Sequence, residues 1–168
     1  VGMNPSRIGV LNVLRDMGAR IEIKNAREES GEPIADLIVL PSKLSGVILD
    51  GSIIPNIIDE IPILSIAAAF AEGETIIRDA AELRVKESDR LKAISNGLLN
   101  LGVSHINFDD GIKIKGNPRL LDLPGPVQID SYDDHRIAMS FLIAGLNCNQ
   151  PITVLDCDNI LTSFPAFI

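Results

Sequence analysis

Aromatic residues are scarce in this chain of 168 residues. Tryptophan is absent, Tyr132 is the only tyrosine, and aromatics make up 4% of the whole. A core must therefore be built from isoleucine, leucine, valine and alanine, which fill space by interdigitating rather than by ring stacking. The two cysteines, Cys148 and Cys157, show no metal-ligand spacing and read as small core residues of a reducing compartment. Positive charge is also in deficit, 15 Lys and Arg against 23 Asp and Glu, for a net charge of -8. That balance argues against a nucleic-acid or anionic-membrane surface. Any anionic ligand would need a local cationic site set against the overall field. No signal peptide, lipidation motif or long apolar span can be read, so no membrane is implied and the cytoplasm is the default. What remains, 46% hydrophobic and 23% charged, is a globular composition long enough for one domain with a real core.

In chain order, residues 1–3 read as the end of a strand, and Asn4-Pro5-Ser6 as a turn and helix start. The spacing of Val10, Leu11, Leu14 and Met17 predicts a helix stopped by Gly18. Strands are expected at 20–24, 35–40 and 46–50, with a polar loop over 25–33. Pro62 suits the first turn of a helix with Asp59 as its N-cap. The body of that helix, 63–71, is apolar on every side except Ser65, the pattern of a helix buried all round and too short to span a bilayer. A strand at 75–78 follows. After a charged stretch, Leu91, Ile94, Leu98 and Leu101 predict a second amphipathic helix, ended by Gly102. Strands at 105–108 and 112–115 surround Asp109-Asp110-Gly111. A proline-containing loop covers 116–125, and a strand covers 127–130. Asp134-His135-Arg136 opens a second all-round apolar helix, 137–146, which leads to a strand at 151–155. Thr162-Ser163-Phe164-Pro165 reads as one more helix start.

The order repeats. Leu14-Arg15-Asp16-Met17-Gly18-Ala19 corresponds to Leu98-Leu99-Asn100-Leu101-Gly102-Val103. Asp59 and Asp134 open the two apolar helices, and Asp79 and Asp156 end the strands after them. Each unit is helix, three strands, buried helix, strand. Helices buried on all faces need sheets around them, so the fold expected is α/β with helices inside and sheets outside, the reverse of a doubly wound fold.

Between two of these elements lies Leu83-Arg84-Val85-Lys86-Glu87-Ser88-Asp89-Arg90-Leu91, in which five of nine residues carry charge. Ser88 is the candidate N-cap of the following helix. Arg90 then falls in its first turn, against the helix dipole. Arg136 and Arg7 stand at or beside equivalent helix starts. Free N–H groups at such starts attract anions, and three arginines set against the dipole suggest one anion-facing end. The plainer expectation is that these charges pair locally: Lys86 or Arg90 with Glu87 or Asp89, and Arg136 with Asp133 or Asp134. His135 reads as a positioning or surface histidine.

The charged nonapeptide closely resembles a signature of the 5-enolpyruvylshikimate-3-phosphate synthase family. Asp134-His135-Arg136-Ile137-Ala138-Met139 resembles its second signature. Asn4-Pro5-Ser6-Arg7, Asp59-Glu60-Ile61-Pro62 and Thr162-Ser163-Phe164-Pro165 are similar in order and spacing. The details of the last two look most like the bacterial branch known for tolerating glyphosate. Many members carry a lysine where this chain has Thr162; the branch it resembles lacks that lysine. The resemblance covers essentially the whole chain. It implies an inside-out α/β barrel of βαβαββ units, and a place as most of the C-terminal lobe of a two-lobed, monomeric protein whose N-terminal lobe is absent here.

The reaction implied moves the enolpyruvyl group of phosphoenolpyruvate to the 5-hydroxyl of shikimate 3-phosphate, with no metal or organic cofactor. By the same resemblance, Arg90 and Arg136 hold phosphoenolpyruvate and Lys86 contacts shikimate 3-phosphate or the transferring group. Asp59 accepts the proton of the attacking hydroxyl, and Glu87 handles the proton at the methylene carbon. The chain alone, with half the cleft, is expected to be inactive. The alternatives are an enolpyruvyl transferase acting on UDP-N-acetylglucosamine, which lacks this nonapeptide followed by the Asp-His-Arg helix start, and a non-catalytic anion-binding domain.

Overall fold

The structure, a computed structural model, describes residues 1–119 and 122–167. The first unit runs α1 (Gly9–Asp16), β1 (Arg20–Glu29), β2 (Glu32–Leu40), β3 (Ile48–Leu49), the short α2 (Ile54–Ile57), α3 (Ile61–Ala69) and β4 (Glu74–Ile77). The second runs α4 (Arg90–Asn100), β5 (His105–Phe108), β6 (Gly111–Lys115), β7 (Val127–Asp130), α5 (His135–Gly145) and β8 (Ile152–Leu155), and α6 (Asn159–Ser163) follows it. Backbone conformation marks the repeat at matching positions. Gly18 (φ 100°) and Gly102 (φ 71°) turn left-handed after α1 and α4. The next residue then donates back into the helix, Ala19 to Leu14 and Val103 to Leu98, both at 2.8 Å. Asp79 and Asp156, beyond β4 and β8, share φ values of 57° and 54°.

The sheets join the units. β3 pairs in parallel with β4 across α3, and β7 with β8 across α5, whereas β1–β2 and β5–β6 are antiparallel hairpins. The parallel pair of the first unit takes the hairpin of the second as its neighbour, giving the order β3-β4-β6-β5. Inside, α3, α4 and α5 pack on one another. Outside them, α3 meets β6, α4 meets β5, β6 and β7, and α5 meets β8. This is the expected inside-out α/β arrangement, with an aliphatic core running from Val13 to Ala144 and Phe141 as its one fully buried ring. The single polar side chain in α3, Ser65, is buried and donates to the Ile61 carbonyl at 2.8 Å.

Gly97 sits inside α4, where glycine costs about 1 kcal/mol relative to alanine. The Phe141 ring of α5 accounts for it: a Cβ on Gly97 would lie 2.1 Å from Phe141 Cζ. Gly97→Ala should therefore lower stability by about 1–3 kcal/mol, the cost of overpacking, rather than raise it as a helix-propensity argument would have it. The midpoint of a urea titration checks the sign.

Several expectations are corrected. Residues 25–33 are mostly strand, because β1 and β2 form one long hairpin turning at Ser30 and Gly31, both left-handed (φ 53° and 83°). Their polar character reflects exposure of the hairpin, not a loop. α1 starts at Gly9, later than expected, because Asn4 Oδ1 accepts from the Ser6 N–H and hydroxyl and holds a separate turn. α3 is buried nearly all round, but α5 is not: Ile143 is exposed, and so is Leu146 at the C-cap. Thr162 and Ser163 already lie in a helix, α6, which runs over 159–163 with Phe164 at its C-cap. The helical run Gly51–Ala69, of 19 residues, is long and apolar enough by length and composition to cross a membrane, contrary to the shorter helix expected. Its α3 part packs against α4, α5 and β6, as a core helix does. Of the expected loop over 116–125, positions 120 and 121 lie outside the described residues.

Candidate functional site

Arg90 is the largest fully buried side chain among the described residues, with no exposure at all. A buried guanidinium must be paired, because desolvating an uncompensated charge costs several kcal/mol. Three carboxylates surround this one. Nε donates to Asp134 Oδ2 at 2.8 Å, Nη1 to Asp59 Oδ1 at 3.2 Å and Nη2 to Glu87 Oε2 at 2.5 Å. The side chain arrives there because Asp89, not Ser88, caps α4: its Oδ1 accepts the Lys92 N–H at 3.0 Å, which makes Arg90 the first helical residue. Ser88 instead turns its hydroxyl to Asp134 Oδ2 at 3.1 Å.

Asp134 is as buried as Arg90 and serves two elements at once. Its Oδ1 caps α5, accepting from the Arg136 N–H at 2.9 Å and the Ile137 N–H at 3.4 Å. Its Oδ2 takes Arg90 and Ser88. Burial pushes its carboxyl up, but the hydrogen bond and charge of Arg90, the Arg136 N–H and the Ser88 hydroxyl outweigh that and hold it below the usual aspartate value. The sequence offers Asp134 only as a helix opener or as a local partner of Arg136. Its signal was an N-cap aspartate beside an arginine, which does not reveal an arginine arriving from another helix.

Asp59 was expected to cap α3. It lies instead in a 3-10 turn ahead of the helix, and the residue at the cap position, Glu60, makes no side-chain capping bond. The Asp59 carboxylate is drawn away between two arginines, Arg90 at 3.2 Å and Arg136 Nη2 at 3.6 Å. Arg136 Nη1 also donates to the Asp59 carbonyl at 2.8 Å and lies 3.6 Å from Glu60. Arg136 thus pairs across to the first unit, not with Asp133 or Asp134 as the local alternative had it. Beside it, Asp59, Ile63, Arg136, Met139, Ser140 and Phe167 line a hollow of about 180 Å³.

Four carboxylates and two guanidiniums, contributed by the loop before α3, the loop before α4 and the start of α5, therefore meet at one end of the three inner helices. Such a set can grip a phosphate or carboxylate through arginine forks and move protons through carboxylates. The chain matches, over residues 1–168, the family described as EPSP synthase (3-phosphoshikimate 1-carboxyvinyltransferase). The chain belongs to the EPSP synthase family. It is 51% identical over 167 residues to the 3-phosphoshikimate 1-carboxyvinyltransferase of Magnetococcus marinus, covering 99% of this chain and 37% of that protein. The EPSP synthase of Acinetobacter baumannii superposes with a TM-score of 0.94 at 44% identity, over 99% of this chain and 38% of that one. The enolpyruvyl transferase NikO of Streptomyces tendae shares the fold, with a TM-score of 0.67 at 20% identity over 94% of this chain and 32% of that one. The chain thus spans well under half the length of the relatives it matches.

Lys86, Arg84 and Arg7, also in the EPSP synthase-like motifs, fall outside the cluster. Of the local pairs expected, Arg90 with Glu87 forms, whereas Lys86 pairs with Glu82, outside the nonapeptide, and Asp89 pairs with Arg84 at 3.2 Å. Arg7 precedes α1 in the Asn4 turn and is exposed, so it is not a first-turn arginine. His135, the first residue of α5, is half-buried. Among the described residues no group of His, Cys, Asp and Glu is arranged to hold a metal ion.

Proposed function

We propose that the protein containing this chain transfers the enolpyruvyl group of phosphoenolpyruvate to the 5-hydroxyl of shikimate 3-phosphate and releases phosphate. The chain contributes most of one lobe. A second lobe, outside this chain, supplies the other wall of the cleft, so the chain alone is inactive. The observation that carries this reading is the arginine–carboxylate cluster of Asp59, Glu87, Arg90, Asp134 and Arg136, in a chain of this family.

The chemistry divides among these residues. Arg90 and Arg136 hold the phosphate and carboxylate of phosphoenolpyruvate. Asp59, between them, accepts the proton of the attacking hydroxyl as its oxygen bonds to the enol carbon. Glu87 delivers a proton to the methylene carbon, giving a tetrahedral intermediate. The bond from that intermediate to the phosphate oxygen then breaks, and the proton leaves the new methyl group to restore the double bond. Lys86, close in sequence to Glu87, contacts shikimate 3-phosphate or the transferring group once it leaves Glu82.

The test is phosphate release from the two substrates by the full-length protein. Turnover that requires both is expected; no turnover by an intact two-lobed protein would end the reading. Asp59→Asn should lower kcat more than it raises KM for either substrate, because it removes a proton acceptor while keeping the size of the side chain. A change confined to KM would make Asp59 a binding residue only.

A further inference from the structure

Arg90 as described above cannot touch a ligand. Its Nε and both Nη atoms are spent on carboxylates, and none of its surface is exposed. A substrate anion can reach it only if one carboxylate leaves. The three differ in what departure would cost. Asp134 is fully buried, and moving it would uncap α5 and strand the Ser88 hydroxyl. Asp59, 31% exposed, is tied to Arg136 as well, and its own carbonyl accepts from that residue. Glu87 is 54% exposed, and among the described residues its side chain pairs with Arg90 Nη2 alone. It also sits in the loop ahead of α4, not in a helix.

Glu87 has somewhere to go. With Ser88, Asp89, Lys92, Ala93 and Tyr132 it lines a hollow of about 280 Å³, separate from the one beside Arg136. Lys92 in that hollow forms no ion pair among the described residues.

We infer that Asp134 is the fixed anchor of Arg90 and that Glu87 is an internal stand-in for the substrate anion. Binding is then an exchange: the anion takes Nη2, and the Glu87 carboxylate swings to Lys92. The exchange limits the affinity of the site for anions, because each binding event must displace a charge-assisted hydrogen bond already made. This rests on the reading of Arg90 as a phosphoenolpyruvate ligand.

The experiment is calorimetric titration of full-length wild type, Glu87→Gln, Lys92→Ala and the double variant with phosphoenolpyruvate. Glu87→Gln should bind at least about tenfold tighter, since a competing charge a few Å from the site is removed even allowing for screening. Its turnover should fall. Lys92→Ala should weaken binding severalfold in wild type and leave Glu87→Gln unchanged, a non-additivity that a general surface effect would not produce. Equal, weaker or undetectable binding by Glu87→Gln, or additive effects of the two substitutions, would overturn the exchange. Turnover of both substrates by wild type is scored separately: its absence defeats the proposed function, whereas turnover without tighter binding in Glu87→Gln defeats the exchange alone.

Discussion

Asp134→Asn should cost about 3–5 kcal/mol of folding stability, the range for breaking a buried ion pair by removing one partner. The substitution keeps shape and volume, so packing is not what changes. An asparagine can still turn its oxygen to the Arg136 and Ile137 N–H groups, but its amide then faces Arg90 Nε, donor against donor, and the Ser88 hydroxyl must turn to accept. Turned the other way, it uncaps α5. Arg90 is left with Asp59 and Glu87, both partly in water. Urea titration of the full-length protein measures the loss. A shift worth less than about 1 kcal/mol would mean the two outer carboxylates hold Arg90 unaided.

The pH dependence has a definite sign. The Asp134 carboxyl lies below its ordinary value when folded, so the stability it contributes is complete above the unfolded aspartate pKa of about 3.9. It is lost as pH falls through the lower, folded value. The gap in stability between wild type and Asp134→Asn should therefore be level from neutral pH to about 4 and close only below that. A gap that closes between pH 7 and 5 would assign the effect to another group.

The second large effect is on activity. Arg136→Ala should remove about 3–5 kcal/mol of transition-state binding, roughly a 10²- to 10⁴-fold fall in kcat/KM for phosphoenolpyruvate. Its stability should change less than that of an Arg90 variant, because its carboxylate contacts are at 3.6 Å and its side chain is about a third exposed rather than fully buried. Arg90→Ala should lose activity and stability together, since it leaves Asp134 buried without its cation. That contrast separates a residue held at the surface for a ligand from one that also holds the fold. Wild-type kinetics in Arg136→Ala would remove that residue from the site.

The two units were legible because their signals are local. Gly18 and Gly102 end helices through their own backbone freedom, and the apolar run of α3 declares burial without naming its neighbours. The hairpin over residues 20–40 was half missed because its polar strands are exposed, so they lack the alternation that a core imposes. Asp59 was misread for a similar reason. An aspartate ahead of a proline-led helix matches a capping pattern, and only the approach of Arg90 and Arg136 from other elements turns its carboxylate elsewhere.

Composition, punctuation and the paired motifs by themselves determined the order of elements, the inward placing of the helices and the presence of arginines at helix starts, because each depends on residues near one another in the chain. The tertiary structure decided which carboxylate each arginine meets. Asp59, Arg90 and Asp134 are far apart in sequence, and one enclosed guanidinium, which cannot stay uncompensated away from water, selects among them by distance and burial.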